Sequence, residues 1–266
     1  AMYNQSDTAL FKVKPKGLYI LLTDFESLCC LETRLLDTGK GMLKMNCTEY
    51  TVKVMLDSFI SILRKILKNK HSALLSAEDE SPYVLQIREV VGVTNKTVET
   101  YTVESAEHRA RVYHILSTNT FRQQANHYVQ FRLPVAEFNK LITMQCIISG
   151  NCGGVGEMVV TPAASSELCS IRLHVRNQAG MHGGVTLHTH AKAPSAPLLH
   201  RPEQAFQLQY FLTYLKRSQN LFSCPTDFLT VYASDKGLLL QTDVKDGHCV
   251  VIFLADISHE DLDSYA

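Results

Sequence analysis

YTVKVMLDSFISILRKILKNK, residues 50–70, decides the reading of the fold. Its first six residues alternate apolar and polar, the period of a half-buried strand. From Leu56 the apolar residues recur every three or four positions, the period of an amphipathic helix. Two further stretches make the same change: YVQFRLPVAEFNKLITMQCII from Tyr128 and FQLQYFLTYLKRSQNL from Phe206. The three starts are 78 residues apart in both intervals, which indicates a repeated strand–helix unit.

Around these units lie short runs of β-branched and aromatic residues, among them GLYILLTD, YVLQIREV, TVETYTVE, LCSIRLHV, GVTLHTHA, GLLLQTDV and HCVVIFLADI. Separated by Gly, Asp, Asn and Ser turns, they read as hairpin-connected antiparallel strands. The order is strand, helix, then several strands, unlike the strict alternation of a doubly wound parallel sheet. The expected class is α+β: two similar domains of antiparallel sheet with helices on one face. STNTFRQQANH (117–127) is polar and aperiodic, and divides a first domain, 1–116, from a second, 128–266. HAKAPSAPLLHRP (190–202), with three prolines, reads as a mobile loop.

Composition narrows function. Lys+Arg and Asp+Glu are 26 each, so affinity for a polyanion requires charge gathered on one face. The strand–helix units offer Arg64, Lys65, Lys68 and Lys70, then Lys140, then Lys216 and Arg217. None carries more than one acidic residue in its helical stretch, so the helices could neutralise phosphates without reading bases, giving sequence-independent, salt-sensitive binding to a nucleic acid. Basic residues in the last turn of a surface helix also complement its dipole, and that plainer reading stays open.

The eight cysteines are scattered without CxxC spacing and read as reduced, buried thiols. There is no GxxxxGK[ST], GxSxG, HExxH or GxGxxG, and the glycines of NCGGVGE (151–157) read as a turn. His188 and His190 share a strand face, with His182, His174 and Cys169 near in sequence, but zinc-type spacing is absent and no metal or cofactor is assigned. SAEDESP reads as a solvated loop, and the acidic tail HEDLDSYA as frayed. No long apolar run or signal-like start is present, so a soluble intracellular protein outside membranes is expected.

FQLQYFLTYLKRSQ followed by DFLTVYASDKGLLLQTDVKDGHCVVIFLAD, with its Asp246-Gly247-His248 turn, resembles the last helix and three closing strands of the DNA sliding-clamp superfamily, the proliferating cell nuclear antigen-like proteins. LPVAEFNKL is similar to that family's domain-two helix entry, and RARVYHILSTN to its last domain-one strand and interdomain connector. The resemblance implies helices lining a channel, sheets forming an outer wall, and two or three subunits closed head to tail. It implies no catalysis, and a nuclear processivity factor for DNA replication and repair. The same fold serves the heterotrimeric DNA-damage checkpoint clamp and viral processivity factors.

Arg64, Lys65, Lys68, Lys140, Lys216 and Arg217 become the DNA-contacting candidates. Ring closure would pair 109–116 with 184–190 of the next subunit. A DNA polymerase or other partner with a short hydrophobic motif would dock near Phe121, Gly237, Ile252, Leu254 and Ala255; Ile252 and Leu254 read equally well as plain core. A clamp loader and other clamp subunits complete the implied partners. Two clamp domains imply four strand–helix units; three are visible, and the fourth would precede KVKPKGLYILLTDFE.

Overall fold

The computed structural model describes residues 8–23, 29–36, 44–78, 81–91, 96–104, 127–150, 154–162, 168–176, 182–190, 197–219, 227–243 and 249–257. Two compact units divide the chain. The N unit comprises residues 3–23 and 34–114; the C unit comprises 1–2, 24–33 and 115–266. Antiparallel strands dominate both, with few helices, an architecture compatible with an α+β fold.

In the C unit, β8 (Tyr128–Pro134) runs directly into α2 (Val135–Ser149), followed by β9 (Val155–Pro162), β10 (Leu168–Arg176), β11 (His182–His190) and β12 (Leu198–His200). A second passage repeats the pattern: β13 (Phe206–Phe211) runs into α3 (Leu212–Ser218), then β14 (Phe228–Ser234), β15 (Gly237–Asp243) and β16 (Cys249–Ala255). The repeats are crossed. β8 joins the strands of the second repeat, in the order β12-β8-β14-β15-β16, and β13 joins those of the first, in the order β11-β10-β9-β13.

The helix starts are tied across as well. The first α2 amide, Val135 N, donates to Asp227 O just before β14 at 3.1 Å. Leu212 N, the first of α3, donates to Gly154 O just before β9, also at 3.1 Å. Pro134 and Phe211, the N-cap residues, make no side-chain cap bonds. These carbonyls thus satisfy donors that a helix start otherwise leaves open.

Period two sets the core. Val129, Phe131 and Leu133 of β8 are at most 3 % exposed. Each such side chain contributes about 1.5–3 kcal/mol by leaving water. β14 to β16 are buried on both faces, with Leu238, Leu240, Ile252 and Leu254 on one side and Tyr232, Leu239, Cys249 and Val251 clustered on the other. This explains the unbroken apolar runs GLLL and CVVIFLA. At the β14–β15 hairpin Gly237 has φ 144°, a conformation that L side chains resist.

In the N unit, β1 (Thr8–Lys14) pairs antiparallel with β2 (Gly17–Thr23) on one side and with β4 (Tyr50–Met55) on the other. β3 (Cys29–Leu36) is divided between the two units. β4 runs into α1 (Leu56–Lys68), and β5 (Ser72–Glu78), β6 (Ser81–Val91) and β7 (Lys96–Glu104) form a separate sheet in that order. Phe11, Val52, Val54, Leu56, Phe59, Ile66 and Ile87 make one core, with Phe11 and Phe59 edge to face at 4.8 Å.

All three strand–helix units begin where the change of period places them, at Tyr50, Tyr128 and Phe206. Two local expectations are corrected. The proline-bearing stretch 190–202 is not wholly loop: Leu198–His200 forms β12 on the edge of β8, Arg132 N donates to Pro197 O, and Tyr128 stacks on His200. Cys47 is exposed, whereas Cys146, Cys169 and Cys249 are buried, and all four are free thiols. The connector 117–126, residues 109–116 and the 244–248 turn lie outside the described residues.

α1 ends in a Schellman turn: Lys70 N donates to Leu67 O and His71 N to Ile66 O, with Lys70 at φ 58°. An L residue there costs roughly 1–2 kcal/mol, and glycine avoids the cost. Lys70→Gly is therefore expected to stabilise the protein by about 1 kcal/mol in denaturant unfolding; a loss of stability would contradict this account of the turn.

Candidate nucleic-acid interface

The basic candidates differ once their surroundings are known. On α1, Arg64 and Lys68 are four residues apart, hence on one face, and both are exposed. Neither has an ion pair among the described residues. Asp57 is the one acidic residue of the helix. Lys65 turns to the flank instead, where its Nζ lies 2.9 Å from Glu99 Oε2 and 5.0 Å from the centre of the Tyr101 ring. Hydrogen bonding to Tyr101 and Glu99 raises the Lys65 pKa, and Glu99 compensates its charge. It is a weaker candidate for phosphate contact than its spacing suggests.

Lys140, on α2, is paired with Glu137 at 2.8 Å one turn earlier. α2 is also apolar on much of its surface: beside buried Phe138, Leu141, Ile142 and Cys146 it exposes Met144 at 43 % and Ile147 at 73 %. A basic phosphate-facing stripe is therefore not what α2 presents. α3 packs beside α2, with Gln219 Nε2 donating to Asn139 O at 2.9 Å. Lys216 on α3 is half-exposed; Arg217 lies in the same helix, its side chain outside the described residues. Thus α1 groups three candidates, and the α2–α3 pair groups the remainder.

The partner-docking candidates meet on adjacent strands, Gly237 opposite Ala255, Leu238 opposite Leu254 and Leu240 opposite Ile252. Ile252 and Leu254 are 0 % and 1 % exposed, so their side chains are core and do not offer a docking surface. The inward face of β16 accounts for them by period two. Gly237 shapes the hairpin, Ala255 contributes backbone, and Phe121 lies outside the described residues.

Of the histidine strand, His188 is exposed, and β11 is the edge of its four-stranded sheet among the described residues. No cluster of three or more potential metal ligands occurs among the described residues. A void of about 20 Å³ between α2 and the C-unit sheets is lined by apolar side chains, with Gln145 Nε2 donating to Tyr210 Oη at 3.1 Å. Burial pushes the Tyr210 hydroxyl up to about 12. A void of that size can hold no substrate.

Sequence patterning missed a polar cluster beneath α1. Glu89 on β6 is 1 % exposed and accepts hydrogen bonds from Asn69 Nδ2 at 2.9 Å, His71 Nδ1 and Tyr101 Oη at 3.2 Å. The one Tyr101 hydroxyl proton is shared between the two carboxylates, with Glu99 Oε2 at 2.7 Å the nearer acceptor. The Schellman turn places Asn69 and His71 over Glu89, so the C-terminus of α1 is anchored to its sheet by polar contacts. Tyr101 then connects this anchor to the Lys65–Glu99 pair.

Hydrogen bonds, first from Asn69 and then from His71, hold the Glu89 carboxyl below its ordinary range against the opposing effect of burial. A depressed carboxylate stabilises the fold above its unfolded value of about 4.3, and that contribution is lost as pH falls through the lower folded value. Glu89→Gln is expected to lower stability at neutral pH and to flatten the decline below about pH 4. An unchanged pH–stability curve would exclude Glu89 as the anchor.

No protein-family model matches the chain, and no curated protein matches it.

Proposed function

We propose that this chain is a non-catalytic subunit of a DNA sliding clamp, surrounding duplex DNA without reading its sequence and tethering a polymerase or another DNA-processing protein. The observation that carries the reading is the crossed pair of repeats in the C unit, where a strand–helix unit of each repeat completes the sheet of the other. The clamp-like C-terminal sequence coincides with one of these repeats, from β13 to β16. Arg64 and Lys68 supply exposed cations without an ion pair among the described residues for phosphate contact. Tethering raises the local concentration of a partner and needs no reacting group of its own. Replication and repair in the nucleus are the proposed setting, with a clamp loader and further clamp subunits as partners. A checkpoint heterotrimer would use the same fold as a signalling scaffold.

A second reading, a β-rich protein-interaction domain that forms no ring, is favoured by the apolar Met144 and Ile147 on the exposed side of α2. Native mass separates the two. A homomeric ring has two or three times the 29.8 kDa of the chain, a checkpoint subunit gains mass only with its partners, and an isolated interaction domain stays a monomer.

DNA binding through α1 has a defined salt signature. Arg64→Glu with Lys68→Glu is expected to weaken duplex binding equally for all sequences and to flatten the slope of log K against log salt by about two, at roughly 0.9 per lost phosphate contact. Glu99→Gln, which releases Lys65, is expected to strengthen binding at low salt. Salt-insensitive association, or affinity unchanged by the α1 reversals, would exclude this helix as the contact surface.

A further inference from the structure

β2, β1 and β4 lie side by side in the N unit and present two unlike faces. Ala9, Phe11, Val52 and Val54 point to the side that packs against Phe59 of α1. Period two sends the residues between them to the opposite side. There stand Lys12 and Lys14 of β1, Lys53 of β4 and Tyr19 of β2, with Lys16 exposed in the turn that joins β1 to β2.

Register gathers these groups. Tyr19 is directly opposite Lys12, which on its other side is opposite Thr51, so Lys53 is a diagonal neighbour of Lys12. Side chains so placed start about 5 Å apart when opposite and about 7–8 Å apart when diagonal. Lys12 and Lys14, two residues apart on one strand, are separated by about 7 Å.

The face carries an excess of positive charge. β1, β2 and β4 contain no acidic residue. Glu49, just before β4, pairs with Lys12 at 2.7 Å and with Lys14 at 3.5 Å, whereas Lys16 and Lys53 have no ion pair among the described residues. Four lysines therefore meet one carboxylate, in a chain whose acidic and basic residues balance overall. Such a local excess attracts a polyanion. The surface between the ammonium groups is not polar throughout: Tyr19 is half-buried, and Met55, two residues beyond Lys53 on the same face, is 40 % exposed. A ring beside ammonium groups offers an unstacked base a platform, which an acidic peptide does not need and the paired bases of a duplex do not reach.

We propose that the face of β2, β1 and β4 turned away from α1 binds single-stranded nucleic acid, with Lys12, Lys14, Lys16 and Lys53 on the phosphates and Tyr19 beneath a base. Glu49 opposes the ligand by holding two of the lysines. The sheet stands between this face and α1, so the site is separate from the duplex contact assigned to Arg64 and Lys68 and does not depend on it.

Fluorescence anisotropy of a dye-labelled oligothymidylate of about 16 nucleotides tests the site in the Arg64→Glu, Lys68→Glu chain, from which the α1 contact is gone. Lys14→Gln, Lys16→Gln and Lys53→Gln together are expected to weaken binding by about tenfold or more and to flatten the slope of log K against log salt by about two, at roughly 0.7 per lost phosphate contact. Glu49→Gln is expected to tighten binding. Tyr19→Ala is expected to weaken it about tenfold with the salt slope unchanged, and Tyr19→Phe to retain it. Affinity unmoved by the lysine substitutions would overturn the proposal. Displacement of the oligonucleotide by polyglutamate, with Tyr19→Ala without effect, would also overturn it and assign the face to an acidic protein segment. Equal affinity for a duplex of the same length would overturn the single-strand assignment.

Discussion

A strand that passes without a turn into a helix cannot fold back onto its immediate successor, so its backbone groups must be satisfied elsewhere. This constraint organises the C unit. β8 finds its partner in β14 and β13 finds its partner in β9, each across the repeat boundary. The same exchange supplies Asp227 O and Gly154 O to the first helical amides, so pairing of the sheets and placement of the helices are one event. Outer edges are treated similarly: β12 covers β8, while Gln209 N donates to Asp256 Oδ1 and Ile257 N to Gln209 O beside β13. Such covering limits unwanted strand addition.

Charge is arranged more selectively than a count of lysines suggests. Lys65 and Lys140 have carboxylate partners within 3 Å, whereas Arg64 and Lys68 are exposed with no ion pair among the described residues. Beneath the same helix, Glu89 is buried but satisfied by Asn69, His71 and a Tyr101 hydroxyl that it shares with Glu99, which makes it an anchor instead of a defect. A carboxylate in that position would be costly if any donor were lost, so the end of α1 and the sheet below it are fixed together. A helix held in this way can present Arg64 and Lys68 in a constant geometry.

The sequence made the strand–helix junctions legible because the period changes from two to about 3.6 within a few residues. Tyr50, Tyr128 and Phe206 needed no tertiary information. The crossing of the repeats was not legible, since β8 and β14 are a hundred residues apart and period two names no partner. Glu89 was hidden for a related reason: its three donors come from the end of α1 and from β7, and YVLQIREV alone suggests an ordinary exposed acid. Pro197 marked a loop by composition, yet a proline carbonyl still accepts a bond, and Arg132 uses it. Ile252 and Leu254 were readable as core or as groove until both faces of β16 proved buried.

Encirclement of duplex DNA is the central claim, and order of addition on an end-tethered linear duplex tests it directly. A ring enters over the free end and is then held by topology when that end is capped. The account predicts that protein added before capping survives a high-salt wash, and that protein added after capping does not, because salt removes the phosphate contacts but not the topological link. Equal loss of protein in both orders would contradict it.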